Sequence, residues 1–541
     1  MCSDRAKLIQ SGLLLTLILF LTACDGGNDA SCASAPASAP VSAPAPAPSP
    51  APAVTSMGTD FYLTLPDHLC VSVPSNCPGT SVTNKLIVAA PTATTGSVTF
   101  NTLTTTFSVA AGGQTEITLD TAVVLTTNEV IESKGIHVTA QSPISVHVVS
   151  ESAYSADGYL ALPTTGLGTS YYVMSYASTS QTGSEFAVVA TQNNTTVTIT
   201  PKAAGLTKPA NAAFTVVLNS GETYQFENPA YADMTGSLVT ADKPIAVFSG
   251  HRFANLPSGV GYGDYLVEQL PDVSIWGKTH HTSLFSGRTN YTVRVMASQN
   301  GTTFTTTPAG LIGTLNAGQF ADVDLAVAGE FVSNNPVLVA QFMRGSAEET
   351  ALAAKGDPSM VIVTPVEQAV TDATFGVHGL AGTSLTSPAY MNVVTETTAL
   401  ASLKLDNVVV DPALFASVSG ASIYSTGTIP VAPGAHTLQG SVPYSALVYD
   451  YGIASNSVSY AYPVAAKLSP PAPATPIPVP VVSAPAPVNP ASAACVNNQG
   501  AGVGQSRADI EHDHEDTEHD GDARNDNHGH HDDGEAHDTH A

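Results

Sequence analysis

Charge is scarce in this chain. Asp, Glu, Lys and Arg make up 11% of its 541 residues, and 17 cations face 44 acids, for a net charge of -27. So few cations cannot neutralise many phosphates, which argues against a nucleic-acid partner. Aromatic residues are 6%, with one tryptophan, Trp276. No long segment repeats every 3.6 residues, which excludes long amphipathic helices; Gln368–Phe375 has room for one helical turn or two. Catalytic signatures are missing too. There is no GxSxG, and no paired-carboxylate motif with a clear setting.

What the chain has is a repeat. An alternating β run that begins at a proline recurs about every 100 residues. The prolines are Pro143 (AQSPISVHVV), Pro244 (ADKPIAVF), Pro336 (SNNPVLVAQF) and Pro443 (GSVPYSALVY). Other landmarks keep a constant order around it. A short apolar strand ends in Pro66, Pro163, Pro271 or Pro365. A Thr-rich strand follows, as in QNNTTVTITP and QNGTTFTTTP, then a turn at Gly113, Gly221, Gly318 or Gly434. Period-two alternation of Val, Ile and Tyr with Thr and Ser reads as half-buried strands, and Gly, Asn and Pro punctuate them. The expected fold is all-β, with four tandem β-sandwich-like repeats at about 58–156, 157–262, 263–356 and 357–467 within a body at 55–467. The rival arrangement is a β-propeller with two blades per repeat.

The ends of the chain differ from the body. Arg5 and Lys7 precede the apolar run Leu13–Leu21, which is too short to span a bilayer and has the length of a signal-peptide core. It ends in Leu21-Thr22-Ala23-Cys24, which resembles the lipobox of bacterial lipoproteins. That resemblance implies removal of residues 1–23 and a lipid on Cys24. It places the chain in a bacterial envelope, at the outer membrane or cell surface, with the periplasmic face as the alternative. Residues 24–54 form a Pro/Ala-rich stalk, and a similar linker occupies 468–508. Proline at this density favours extended, disordered backbone. Four further cysteines belong to the exported chain, and four allow three connectivities. Cys70 and Cys77 flank a turn-rich VSVPSN and are expected to pair. Cys32 and Cys495 are the other candidate pair; the alternative leaves them free or linked between molecules.

The body resembles the N-terminal domain family of the IgG Fc-binding protein. The residues that carry this are Gly58-Thr59-Asp60-Phe61, ADKPIAVFSGH at Ala241–His251, DYLVEQLPDVSIWGK at Asp264–Lys278 and SVSYAYP at Ser457–Pro463. The resemblance implies an extracellular, non-enzymatic binding or adhesive role. It brings no catalytic set with it.

Two groups of residues could still carry chemistry. The tail, 509–541, holds His512, His514, His519, His528, His530, His531, His537 and His540 among thirteen carboxylates. Imidazole and carboxylate suit zinc, nickel or copper, but ordering a flexible chain makes such sites weak and unselective. His514 and His519 stand five apart, where HExxH needs four, and a calcium-loop match from Asp516 reaches Asn527 where glutamate is wanted. Within the body, His251, Arg252, Trp276, His280 and His281 are the ligand-binding candidates, with Asp264, Glu268 and Asp272 close in sequence. No cofactor is required. The leading expectation is a surface lipoprotein that binds an extracellular or envelope protein or glycan. A metal-capturing lipoprotein acting through its tail is the second, and a carbohydrate-active enzyme the third.

Overall fold

A computed structural model describes residues 54–470, apart from 78–80, 180–182, 309, 349–355, 381–388, 421–422 and 453–457. Cys24, Cys32, Cys495, the signal segment, the histidine tail and all but the body-proximal ends of the Pro/Ala stretches lie outside the described residues. Within them the chain is all-β, built of several repeated sheet units. Helix is confined to short turns, the longest being Thr397–Ser402. Over 368–375 one turn, Val366–Gln368, gives way at once to the strand Val370–Val377. The strand Thr195–Thr200 shows why the sequence pattern works. Val197 and Ile199 enter a core while Thr196, Thr198 and Thr200 stay half-buried on the other face.

The recurring prolines mark one structural event. The long strand Ile136–Glu151 pairs through Ile136–Ala140 with Thr94–Phe100, and through Ser145–Glu151 with Thr83–Ala90. Pro143 lies between, where the strand passes from one sheet to the next. A residue without an N–H costs no ladder bond at such a junction. Pro336 divides Gly329–Met343 in the same way, and Pro443 divides Gly434–Tyr451. At Pro244 the strand is interrupted outright, leaving Leu238–Ala241 in one sheet and Ile245–Ala254 in the other.

Each long strand then turns back into a short partner. The hairpins are Ile136–Glu151 with Ala156–Leu160, Ile245–Ala254 with Asp264–Gln269, Gly329–Met343 with Ser359–Ile362, and Gly434–Tyr451 with Ser459–Pro463. The proline-ended strand is hydrogen-bonded to the long strand before it, so a boundary at 262/263 or 356/357 falls in the loop of a hairpin and one at 156/157 falls within Ala156–Leu160. Gly58–Leu63 is also no member of this set, because it pairs in the other sheet with Ile136–Thr139. The matching strand at the far end is Ser459–Pro463.

The four short strands gather round a common axis. Ala156–Leu160 packs beside Asp264–Gln269 and Ser459–Pro463, and Ser359–Ile362 lies between those two. Apolar side chains link the sheets in a closed cycle. Val189, Phe248 and Tyr265 join the core of Phe61, Val88 and Tyr159. Leu338 and Phe342 join that of Tyr171, Phe186 and Leu266. Tyr449 and Ala461 join that of Val293 and Phe331. Ile87 and Val149 join that of Phe375 and Tyr460, returning to the start. Two sheets share each core, as in a sandwich, while the cores follow one another round an axis, as in a propeller.

The cycle is locked where it closes. His378 Nδ1 lies 3.1 Å from Glu116 and its Nε2 3.4 Å from Glu151, and Lys85 bonds Glu116 at 3.2 Å. The chain enters and leaves on one side. Thr55 bridges Lys467, Leu468 N donates to Val54 O at 2.8 Å, and Gln368 Nε2 donates to Ser469 O at 2.9 Å.

Candidate functional site

Four strands that start together must satisfy their backbone donors, and here buried carboxylates do it. Asp157 accepts from Val267 N, Met360 N and Ala461 N, one on each of the other three axial strands, at 3.1–3.3 Å. Asp264 accepts from Ala156 N at 2.6 Å and Ser459 N at 3.3 Å. Further along, Glu268 accepts from Ile362 N at 3.0 Å. Burial pushes the carboxyls of Asp157, Asp264 and Glu268 well above the usual carboxylate range, although the amide bonds pull the other way. Asp357, with Ser346 as its partner, is raised by burial to about 7. These acids are at most 4% exposed, and Asp157, Asp264 and Glu268 hold strands together through backbone amides.

The loops beyond this end are pinned by arginine. All four arginines among the described residues lie here. Arg252 pairs with Asp67 and Glu227 at 3.6 Å. Arg288 donates to the carbonyls of Arg344 and Gly356 and stacks on Tyr451. Arg344 pairs with Glu348 at 2.8 Å and Asp324 at 3.7 Å. Arg294 is the most engaged. It forks onto Asp322 at 2.7 and 2.8 Å, reaches Asp233 at 2.6 Å, and donates to Ser175 O and Thr235 Oγ1. The rings of Phe320 and Tyr176 lie 4.0 and 4.9 Å from its guanidinium carbon. Burial opposes its charge, but Asp233 and Asp322 outweigh burial and raise its pKa.

Hydrogen bonds join these loops into one surface. Thr179 N and Thr179 Oγ1 both bond Ser258 Oγ, and Ser184 Oγ accepts from Met234 N. Gly345 N donates to Leu256 O. The Cys70–Cys77 disulfide (Cα–Cα 5.3 Å) belongs to the same end, with Cys70 Sγ 3.6 Å from Ser152 Oγ. The large exposed aromatics of the described residues are Tyr154, Tyr231 and Tyr262, at 51%, 57% and 59%, and all three stand on these loops.

The candidates named from sequence separate. His251 and Arg252 lie at the loop end, His251 fully enclosed with its pKa lowered to about 3, chiefly by burial. Trp276 and His280 lie at the opposite end of the axial strands. There they line a cavity of about 60 Å³ with Leu160, Glu268, Ile362 and Leu468. That is far below the roughly 300–1,000 Å³ of small-molecule sites. Trp276 is 2% exposed and donates to Pro271 O, and burial lowers His280 to about 3. His281 is 4% exposed, 3.1 Å from Glu330 and packed at a tilt against the ring of Tyr424. All four of these rings are buried and packed against their neighbours. Asp272 caps Val273–Ile275 and accepts from Ser170 N. Asp157 and Arg294 escaped the sequence reading. The signal for Asp157 was a charge in a strand where the same pairing position holds Leu266, Ser359 and Tyr460 in the other hairpins.

Thr95, Ser97, Thr106, Ser108 and Thr139 line a shallow groove of about 650 Å³ that carries hydroxyls and no charge. Among the described residues no group of three or more His, Cys, Asp or Glu is placed to hold a metal ion. No helix among them is long and apolar enough to cross a membrane.

Comparison with known proteins locates the fold's relatives. The model of the IgGFc binding protein family matches residues 157–449. A human protein, the IgGFc-binding protein, is 30% identical over 189 residues, 34% of this chain. The match spans 3% of that relative's length. Among solved structures, a bacterial ice-binding adhesin aligns over 58% of this chain and 98% of its own at 9% identity, with a TM-score of 0.11. A Ca2+-stabilised, ice-binding adhesin of an Antarctic bacterium aligns over 75% and 98% at 11% identity, with a TM-score of 0.10. The family match covers more than half of the chain and includes the second and third axial hairpins whole, so this protein belongs to the IgGFc binding protein family.

Proposed function

We propose that this is a lipid-anchored, non-enzymatic binding protein of the bacterial envelope, displayed on a Pro/Ala stalk, that adheres to an extracellular protein or glycan. Family membership carries this reading. The human relative is named for binding IgG Fc, and Fc is therefore a probe to try first. Support also comes from the titratable groups of the axial strands, which are spent on backbone bonds. The body is read as four tandem units of about 100 residues, one per axial hairpin. Anchoring rests on the lipobox, with Cys24 as the lipid-bearing residue. A Cys24→Ala chain that still partitions into detergent would refute it. For binding, the full chain is passed over immobilised IgG Fc, purified mucin and an array of neutral glycans; retention by none of them refutes the reading.

The tail favours a second activity. Eight histidines among thirteen carboxylates would bind zinc, nickel or copper weakly, and binding would fade as imidazole protonates below about pH 6. Calorimetry with zinc should show heat for the full chain and none for a chain ending at Ala494. A Cys32–Cys495 bond would tie the two arms of the chain together, and a non-reducing peptide map would test it.

A further inference from the structure

The axial strands have two unlike ends. At one, the entering and leaving segments pair and Leu468 packs on Leu160, Leu162 and Ile275. At the other are the hairpin loops and the loops bonded to them. The strands between them run about five residues, or roughly 17 Å. A ligand arriving from outside therefore meets the loop end on the side away from the chain's exit.

That end is made of the residue types that recognise protein surfaces. Its loops read Ser152-Ala153-Tyr154-Ser155, Asn228-Pro229-Ala230-Tyr231, and Asn255-Leu256-Pro257-Ser258-Gly259-Val260-Gly261-Tyr262. Tyrosine offers a large, stiff contact area at low entropic cost, and Ser, Gly and Asn offer adaptable hydrogen bonds. The arginine pins and cross-loop bonds hold these loops before any partner arrives, which lowers the ordering cost of binding. The charges split unevenly. Arg288 and Arg294 are buried, Arg344 and Arg252 are mostly so, and all four face carbonyls or acids. Asp324 and Asp322 keep 62% and 37% of their side chains in water, and Glu348 keeps 26%. Lys202, beside Ser237, is the exposed cation at the margin.

We infer that the loop end, centred on Tyr154, Tyr231 and Tyr262, is the recognition surface, and that its partner is a folded protein presenting a cationic patch. This deepens the binding reading above and rests on it. The full chain is tested by surface plasmon resonance against IgG Fc, against lysozyme as a compact cationic protein, and against dextran as a neutral glycan. The expected result is binding to protein that weakens with salt. Y154A/Y231A/Y262A should weaken it at least about 100-fold while melting as the parent does, since three central aromatics are removed from exposed sites. Asp324→Asn should slow association severalfold. T95V/T106V, on the hydroxyl-lined groove, should change nothing. Parent-like binding by the tyrosine variant, loss confined to T95V/T106V, or retention by dextran alone each overturn the inference and leave a binding function standing. Silence toward every probe removes both.

Discussion

Replacing Arg294 with alanine tests how the loop end is held. Arg294 is rooted in the strand Tyr291–Ala297, yet it bonds Ser175, Asp233 and Thr235 on the loops flanking Leu238–Ala241. The substitution removes five hydrogen bonds and the stacking on Phe320 and Tyr176. Breaking a buried ion pair from one side costs about 3–5 kcal/mol. Here the stranded Asp233 and Asp322 are 18% and 37% exposed, so water relieves part of that. The lost cation–π contacts add about 1 kcal/mol to the cost. We expect a net loss of about 3–4 kcal/mol. Calorimetry then reads cooperativity as well. A body of roughly 400 residues melting as one has an unfolding entropy near 0.8 kcal/mol/K, so the midpoint falls about 4–5 °C. Units of roughly 100 residues melting alone would drop nearer 15–20 °C, in a separate transition. Arg294→Lys should recover little, because lysine lacks the planar fork that meets Asp322. A shift under about 1 °C for the alanine variant would refute the reasoning.

Further outcomes follow from the axis and the closure. Asp157→Ala orphans three buried N–H groups on three strands and should cost about 3 kcal/mol by chemical denaturation, against less than about 1 for Asp242→Ala at an exposed turn. His378 has a pKa above the ordinary 6.5: burial lowers it, but Glu116 and Glu151 together outweigh burial. Its contribution is therefore complete below pH 6.5 and lost as pH rises through the folded value. Glu116, lowered to about 2 chiefly by the bond from His378, contributes fully above 4.5 and loses this as pH falls through about 2. The joint is thus strongest between these limits, and a midpoint-against-pH curve for His378→Gln should lose the alkaline decline near neutrality. Leu468→Ala opens the packing on Leu160, Leu162 and Ile275 and should cost about 2–3 kcal/mol, measured by thermal unfolding.

The sequence by itself determined the strand content, the repeat and the prolines that recur in it. Alternation places Val197 and Ile199 inward because side chains in a strand point to opposite faces, and that is local information. The prolines at 143, 244, 336 and 443 were legible for the same reason, since a missing N–H acts on its own strand. The Cys70–Cys77 pair was near in sequence and could be read from spacing. Tertiary structure decided everything that depends on which copy lies beside which. Asp157 bonds residues more than one hundred positions away on three strands, and no local pattern states that. His251, Trp276, His280 and His281 looked like anchors because polar and aromatic groups suggest ligands. Their burial, which depends on how strands distant in sequence pack, was not legible in the sequence. The loop end was equally hidden: its tyrosines sit in ordinary turns, and only closure of the ring brings those turns together on one side of the axis.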